Sequence, residues 1–409
     1  MQKKARVSSA KGGVCAARGF RAAGVPAEIK YKGRNDVALI VADAPATAAA
    51  VFTTNAVAAA PVVYDREIAK GGVAQAILAN SGCANACTGD DGFRDARLSA
   101  LVTAGELGVR PEHVFVASTG VIGRRLPVDR LLDGMRRAKA ALGRSAKDAH
   151  AAELAIMTTD TKPKEAAARV KIGGRTVTVG GMAKGSGMIE PNMATMLGFI
   201  TTDAAISAPM LRRALRIALA RSFNRFVVDG DESTNDSLFL LASGAAGNRK
   251  IVKAGPDFDA FLAALESVAV SLAKQMAADG EGATRFVTVR VKGAKSAADA
   301  ERAARAIAKS PLSKTSWFGR DPNWGRVLAA AGYSGAAVCD AKAEVFYDGV
   351  WAFRRGKIAD EAQLGKLAEV MKKDAFTVTV NLNLGGHEAT IYTCDFSLGY
   401  VHINADYTT

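Results

Sequence analysis

A chain of 409 residues, 49% hydrophobic and 23% charged, carries enough apolar material for a large core and predicts two closely packed lobes rather than one small domain. Its net charge of +14 is spread along the whole length in short pairs (Lys3-Lys4, Arg124-Arg125, Arg136-Arg137, Arg212-Arg213) without interleaved aromatics, which favours a solvated basic surface over a nucleic-acid groove. Charge or glycine interrupts the apolar stretches before the roughly 18 residues of a spanning helix, and the basic start lacks a following apolar block, so the expectation is an unexported protein with no membrane segment.

The five cysteines (Cys15, Cys83, Cys87, Cys339, Cys394) are odd in number and scattered, which suits the cytoplasm better than a disulfide framework. Cys83 and Cys87 lack the second pair or nearby histidine of a zinc set, so no metal site is expected. No fixed-period repeat appears, although the alanine-rich stretch 46–60 approaches low complexity.

Short β-type runs at 37–41, 76–78, 114–117, 176–179, 226–228, 286–291, 377–381 and 390–393 alternate with helical patterns, which is a mixed α/β plan. After the run at 114–117, Ser118-Thr119-Gly120 can aim a hydroxyl and a backbone N–H at a developing oxyanion, or form an ordinary strand-ending turn. A helix is expected over about 208–221. It leads through a strand into Asp229-Gly230-Asp231-Glu232-Ser233-Thr234-Asn235-Asp236, a polar loop with capping or site duties. Phe258, Phe261, Leu262, Leu265, Val268, Ala269, Leu272 and Met276 recur at helical spacing over about 257–278, and Asp279-Gly280 stops that helix. Glu281 follows in a Gly-Glu-Gly loop, where the helix dipole gives a carboxylate no reason to be.

Between Gly180 and Asp203 the chain concentrates backbone freedom, with glycines at 180, 181, 185, 187 and 198, while Pro191 biases Glu190 toward extended conformations. A strand is expected to begin at or after Thr195. A threonine at such a junction can attack the carbonyl of Ala194, and cleavage frees its α-amine. That amine, with an unperturbed pKa of about 7.7 to 8, can serve as base to its own hydroxyl. A structural turn is the plain alternative. A phosphate loop is excluded because Lys184 precedes Gly185 instead of following it.

Met182-Ala183-Lys184-Gly185-Ser186-Gly187-Met188-Ile189, followed by Pro191-Asn192-Met193-Ala194-Thr195-Met196-Leu197, resembles the cleavage and nucleophile signature of the ornithine acetyltransferase (glutamate N-acetyltransferase) family of arginine biosynthesis. Phe52-Thr53-Thr54-Asn55, Asn80-Ser81-Gly82, 84–89, 118–123, Asp229-Gly230-Asp231, 233–236, 319–326 and 403–407 extend the resemblance over most of the chain.

The resemblance implies self-cleavage between Ala194 and Thr195 into an α chain (1–194) and a β chain (195–409), with two copies of each assembled. The implied fold is a layered α+β sandwich similar to N-terminal-nucleophile enzymes but with its own topology. The implied reaction moves an acetyl group from N2-acetylornithine to glutamate by a ping-pong route, with Thr195 as nucleophile and Thr119 and Gly120 as the oxyanion hole. No cofactor is implied, and acetyl-CoA is a possible further donor. Substrate contacts map onto Thr158, Lys184, Thr195, Glu281, Asn404 and Thr409, with Thr159 an alternative to its neighbour. Lys184 suits a carboxylate and Glu281 an ammonium. None of the four histidines (His113, His150, His387, His402) pairs obviously with a nucleophile, consistent with the α-amine as base. The chain departs from the family's pattern at Thr408, where arginine is common, and at Cys83, where asparagine is usual.

Two other readings compete. An N-terminal-nucleophile amidase or aminopeptidase on a related fold would pass the acyl group to water, and lacks a reason for Lys184, Glu281 and Asn404 together. A basic nucleic-acid binder predicts an uncut chain with steep salt dependence.

Overall fold

The computed structural model describes residues 6–190 and 196–406; Ala194, Thr195, Thr408 and Thr409 lie outside the described residues. Contacts divide the chain into two compact units, one built from residues up to 224 with 231–276, the other from 225–230 with 277 onward. Both mix helices and strands, as the sequence predicts.

The first unit holds strands β1 (Ser8–Ala10), β2 (Phe20–Val25), β3 (Val37–Phe52), β4 (Val73–Asn80), β5 (Val114–Ser118), β6 (Glu165–Ile172), β7 (Arg175–Lys184), β8 (Leu197–Thr202) and β9 (Ser237–Ala242). They form a nine-stranded sheet in the order β1-β6-β7-β8-β9-β3-β4-β5, with β2 also paired to β3. The β8/β9 and β4/β5 pairs are parallel and the others antiparallel. Its helices are α1 (Ala60–Ile68), α2 (Gly89–Leu107), α3 (Val128–Ala140), α4 (Ala146–Ile156), α5 (Ala208–Arg221) and most of α6 (Pro256–Ala278).

Both sheet faces are covered, so alternate residues of β3 serve different cores. Ala38, Ile40 and Ala42 pack with Ala149, Ala152 and Ile156 of α4, whereas Val37, Leu39 and Val41 pack with Ala96 and Ala100 of α2 and Leu131 and Met135 of α3. That is why these strands read as unbroken apolar runs. Phe239 of β9 sits 5.0 Å from the ring of Phe115 and 5.6 Å from that of Phe199, aromatic contacts worth about 0.5–1.5 kcal/mol each beyond burial. A capping box between Ser145 and Asp148 starts α4.

The second unit continues with β10 (Phe286–Ala294), β11 (Glu344–Tyr347), β12 (Val350–Arg354), β13 (Lys357–Ile358), β14 (Ala375–Asn381) and β15 (His387–Cys394), in the order β13-β12-β11-β14-β10-β15. Its helices are α7 (Ala297–Lys309), α8 (Pro311–Phe318), α9 (Trp324–Gly332), α10 (Glu361–Met371) and α11 (Leu398–Asp406). Ala300, Ala303, Ala304 and Ile307 of α7 pack with Val287, Val289 and Ile391 of the sheet.

Two expectations are corrected. Residues 226–228 form no strand: Phe226 makes an isolated bridge to Tyr392, and the run is apolar because Phe226, Val227 and Val228 are buried without a ladder. Among the described residues, α6 is long and apolar enough, by length and composition, to cross a bilayer. Its Phe261, Leu265, Val268 and Leu272 are buried in the protein, which accounts for that hydropathy.

Candidate active site

In the first unit the parallel strands β4 and β5 end together, at Asn80 and Ser118. Asn80 ties their ends: its Nδ2 donates to the carbonyl of Cys83 (2.9 Å), its Oδ1 accepts from the Ser118 hydroxyl (2.7 Å), and its carbonyl accepts from the Thr119 N–H (3.0 Å). Gly120 has φ +130°, and a Cβ there would lie 2.4 Å from the carbonyl carbon of Gly82, so only glycine lets the two loops approach. Asn235 adds a second tie, donating from Nδ2 to the carbonyls of Ala84 (2.6 Å) and Ser118 (2.8 Å).

Lys184 ends β7 and is 5% exposed. Its ammonium donates to the hydroxyls of Thr158 (2.9 Å) and Thr119 (3.3 Å), which brings three of the expected site residues together. Thr159 instead pairs with the Ser186 hydroxyl (2.8 Å), so the two adjacent threonines have different jobs. No helix follows them, so Thr158 is not a cap.

The Asp160 side chain is fully buried. It accepts from Lys164 Nζ (2.7 Å) and the N–H groups of Gly185 (2.7 Å) and Thr158 (3.0 Å). Burial pushes its carboxyl up, but the charges of Lys184 and Lys164 and these hydrogen bonds outweigh that and hold it at about 2. Glu153, which accepts from the Lys164 N–H (2.9 Å), is raised well above the carboxylate range by burial.

β7 pairs with β8 so that Lys184 faces Leu197, two residues after Thr195 in the chain. Met196, which directly follows Thr195, donates its N–H to Asp236 Oδ1 (2.7 Å) and accepts at its carbonyl from the Ser237 N–H (3.0 Å).

In the second unit Glu281 is 9% exposed and its Oε2 accepts from Asn404 Nδ2 (2.8 Å), so the structure joins this expected pair as well. Gly282 has φ +67°, and a Cβ there would lie 2.2 Å from the Tyr400 nitrogen, which lets the loop lie against α11.

Nothing in the sequence alone assigns a role to Asp160, Asn80 or Asn235. Asp160 stands two residues from Thr158, and Asn235 and Asp236 lie in the polar loop flagged for capping or site duties, so location was signalled and partners were not. The cysteines are free, and among the described residues no group of three or more His, Cys, Asp or Glu side chains could hold a metal ion.

The ArgJ family matches residues 21–409. The arginine biosynthesis bifunctional protein ArgJ of Symbiobacterium thermophilum is 53% identical over 402 residues, spanning 97% of this chain and 99% of its own. The glutamate N-acetyltransferase of Methanosarcina mazei is 45% identical over 404 residues, spanning 98% and 99%. Among solved structures, the ornithine acetyltransferase of Mycobacterium tuberculosis complexed with ornithine is 41% identical, covers 47% of this chain and 99% of its own, and gives a TM-score of 0.42. A family match over nearly the whole length, with relatives this similar from end to end, establishes that the chain belongs to the ArgJ family.

Proposed function

We propose that this protein transfers an acetyl group from N2-acetylornithine to glutamate through an acetyl ester on Thr195, after cutting itself between Ala194 and Thr195. The names of its relatives support glutamate as acceptor and arginine biosynthesis as setting. The observation that carries the reading is the buried ammonium of Lys184, bonded to the hydroxyls of Thr158 and Thr119 at the end of β7.

In the cleavage step the Thr195 hydroxyl attacks the Ala194 carbonyl, the peptide bond becomes an ester, and water releases the Ala194 carboxylate and the free Thr195 amine and hydroxyl. In turnover that amine takes the hydroxyl proton as the oxygen attacks the acetyl carbonyl. Thr119 and the Gly120 N–H stabilise the oxyanion, and ornithine leaves with the proton. The glutamate amine then takes the acetyl group and regenerates the threonine. Lys184 and Thr158 hold a substrate carboxylate, while Glu281, steadied by Asn404, meets an ammonium. Thr409 is assigned a further substrate contact. The reaction needs no cofactor or metal. The working assembly is two α and two β chains in the cytoplasm.

The test is intact mass of the purified protein beside Thr195→Ala. Two fragments meeting at Ala194 and Thr195, with the variant uncut, are expected; an uncut, active wild type refutes the proposed nucleophile and base together.

A further inference from the structure

We infer that Asp160 is the positioning residue for carboxylate recognition: it fixes the backbone on both sides of the Thr158–Lys184 pair and balances the charge of Lys184. This rests on the function proposed above.

The geometry is specific. The Asp160 carboxylate takes the N–H of Thr158 at one end and that of Gly185, next to Lys184 and 25 residues along the chain, at the other, so one buried group sets two separate segments. The same carboxylate holds Lys164 Nζ, which also donates to the carbonyl of Lys162 (3.0 Å), and the Lys164 carbonyl accepts from the Ala183 N–H (3.1 Å). Asp160 thus anchors the end of β7, while the Lys184 ammonium meets two hydroxyls.

The other titratable groups of this neighbourhood are Lys164, Glu153 and Glu165. Glu153 is held toward its neutral form by burial, whereas Asp160 is held ionised against the same burial by the two lysines. Asp160 is therefore a buried carboxylate that faces both cations.

The experiment compares wild type with Asp160→Asn on two acetyl donors, N2-acetylornithine and N-acetylputrescine, which lacks the α-carboxylate. Asparagine keeps an acceptor oxygen but removes the charge. The variant is expected to raise KM for N2-acetylornithine about tenfold, to leave kcat within about threefold, and to leave N-acetylputrescine unaffected.

Equal effects on both donors, or none on either, overturn the inference while leaving the proposed function standing. A cleaved wild type that transfers no acetyl group from N2-acetylornithine overturns the function and this inference with it. If Asp160→Asn fails to fold, Asp160→Asn with Lys164→Met removes the buried ion pair as a unit, and the same loss of discrimination is expected. Unchanged discrimination in that double variant also refutes the inference.

Discussion

Asn235 donates to two buried carbonyls, of Ala84 and Ser118, and no aliphatic side chain can replace it. Asn235→Ala leaves both acceptors unsatisfied, at about 1–3 kcal/mol each. Because Ser118 directly precedes Thr119 and Gly120, the loss falls on the proposed oxyanion hole. We expect a lower thermal midpoint and a kcat reduced more than KM is raised; an unchanged kcat in a destabilised variant would show that the clip serves folding alone. At this scale the sequence marked the residues whose chemistry shows in their type, such as Lys184 and Glu281, because the resemblance carries them position by position. It did not mark Asp160, whose importance comes from Gly185 and Lys184, 25 and 24 residues along the chain and brought back to it only by the fold.

Asp65 of α1 supports β5 from the side, accepting the Val116 N–H (3.1 Å) two residues before Ser118. Burial pushes its carboxyl well above the ordinary range, against the smaller opposing effect of that hydrogen bond. A raised folded-state pKa means the contribution to stability is fully present below the unfolded value and is lost as pH rises through the folded one. Asp65→Asn removes that dependence, so the stability advantage of wild type should shrink as pH rises above the unfolded carboxylate value of about 3.9. Thermal midpoints across that rise check it, and a constant gap contradicts it.

Element positions were legible where strands are apolar and helices periodic: β5 begins at Val114 and α5 spans Ala208–Arg221, as read. The full length of β3 was not legible, because alanine is a poor strand former. Ala48, Ala49 and Ala50 are in a strand because β9 pairs with that half of β3, and Ala46 because β4 pairs with it at Ala74.

At the scale of the molecule, the sheet order bears on what self-cleavage does. Strands β8 and β9 follow the proposed cut and lie between β7 and β3, which precede it. Backbone hydrogen bonds on both sides would therefore hold a second chain made by that cut inside the sheet of the first. Composition predicts a large core, and the alternation of β-type runs with helical patterns predicts a mixed α/β plan. The interleaving of strands from the two sides of the cut depends on long-range pairing that no local pattern encodes.

The most direct measurement of the central claim is the mass of the peptide beginning at Thr195 after the purified protein meets N2-acetylornithine without glutamate. The account predicts a gain of one acetyl group on Thr195, lost when glutamate is added as N-acetylglutamate appears. Turnover without acetylation of that peptide, or an acetyl group carried on another residue, would contradict it.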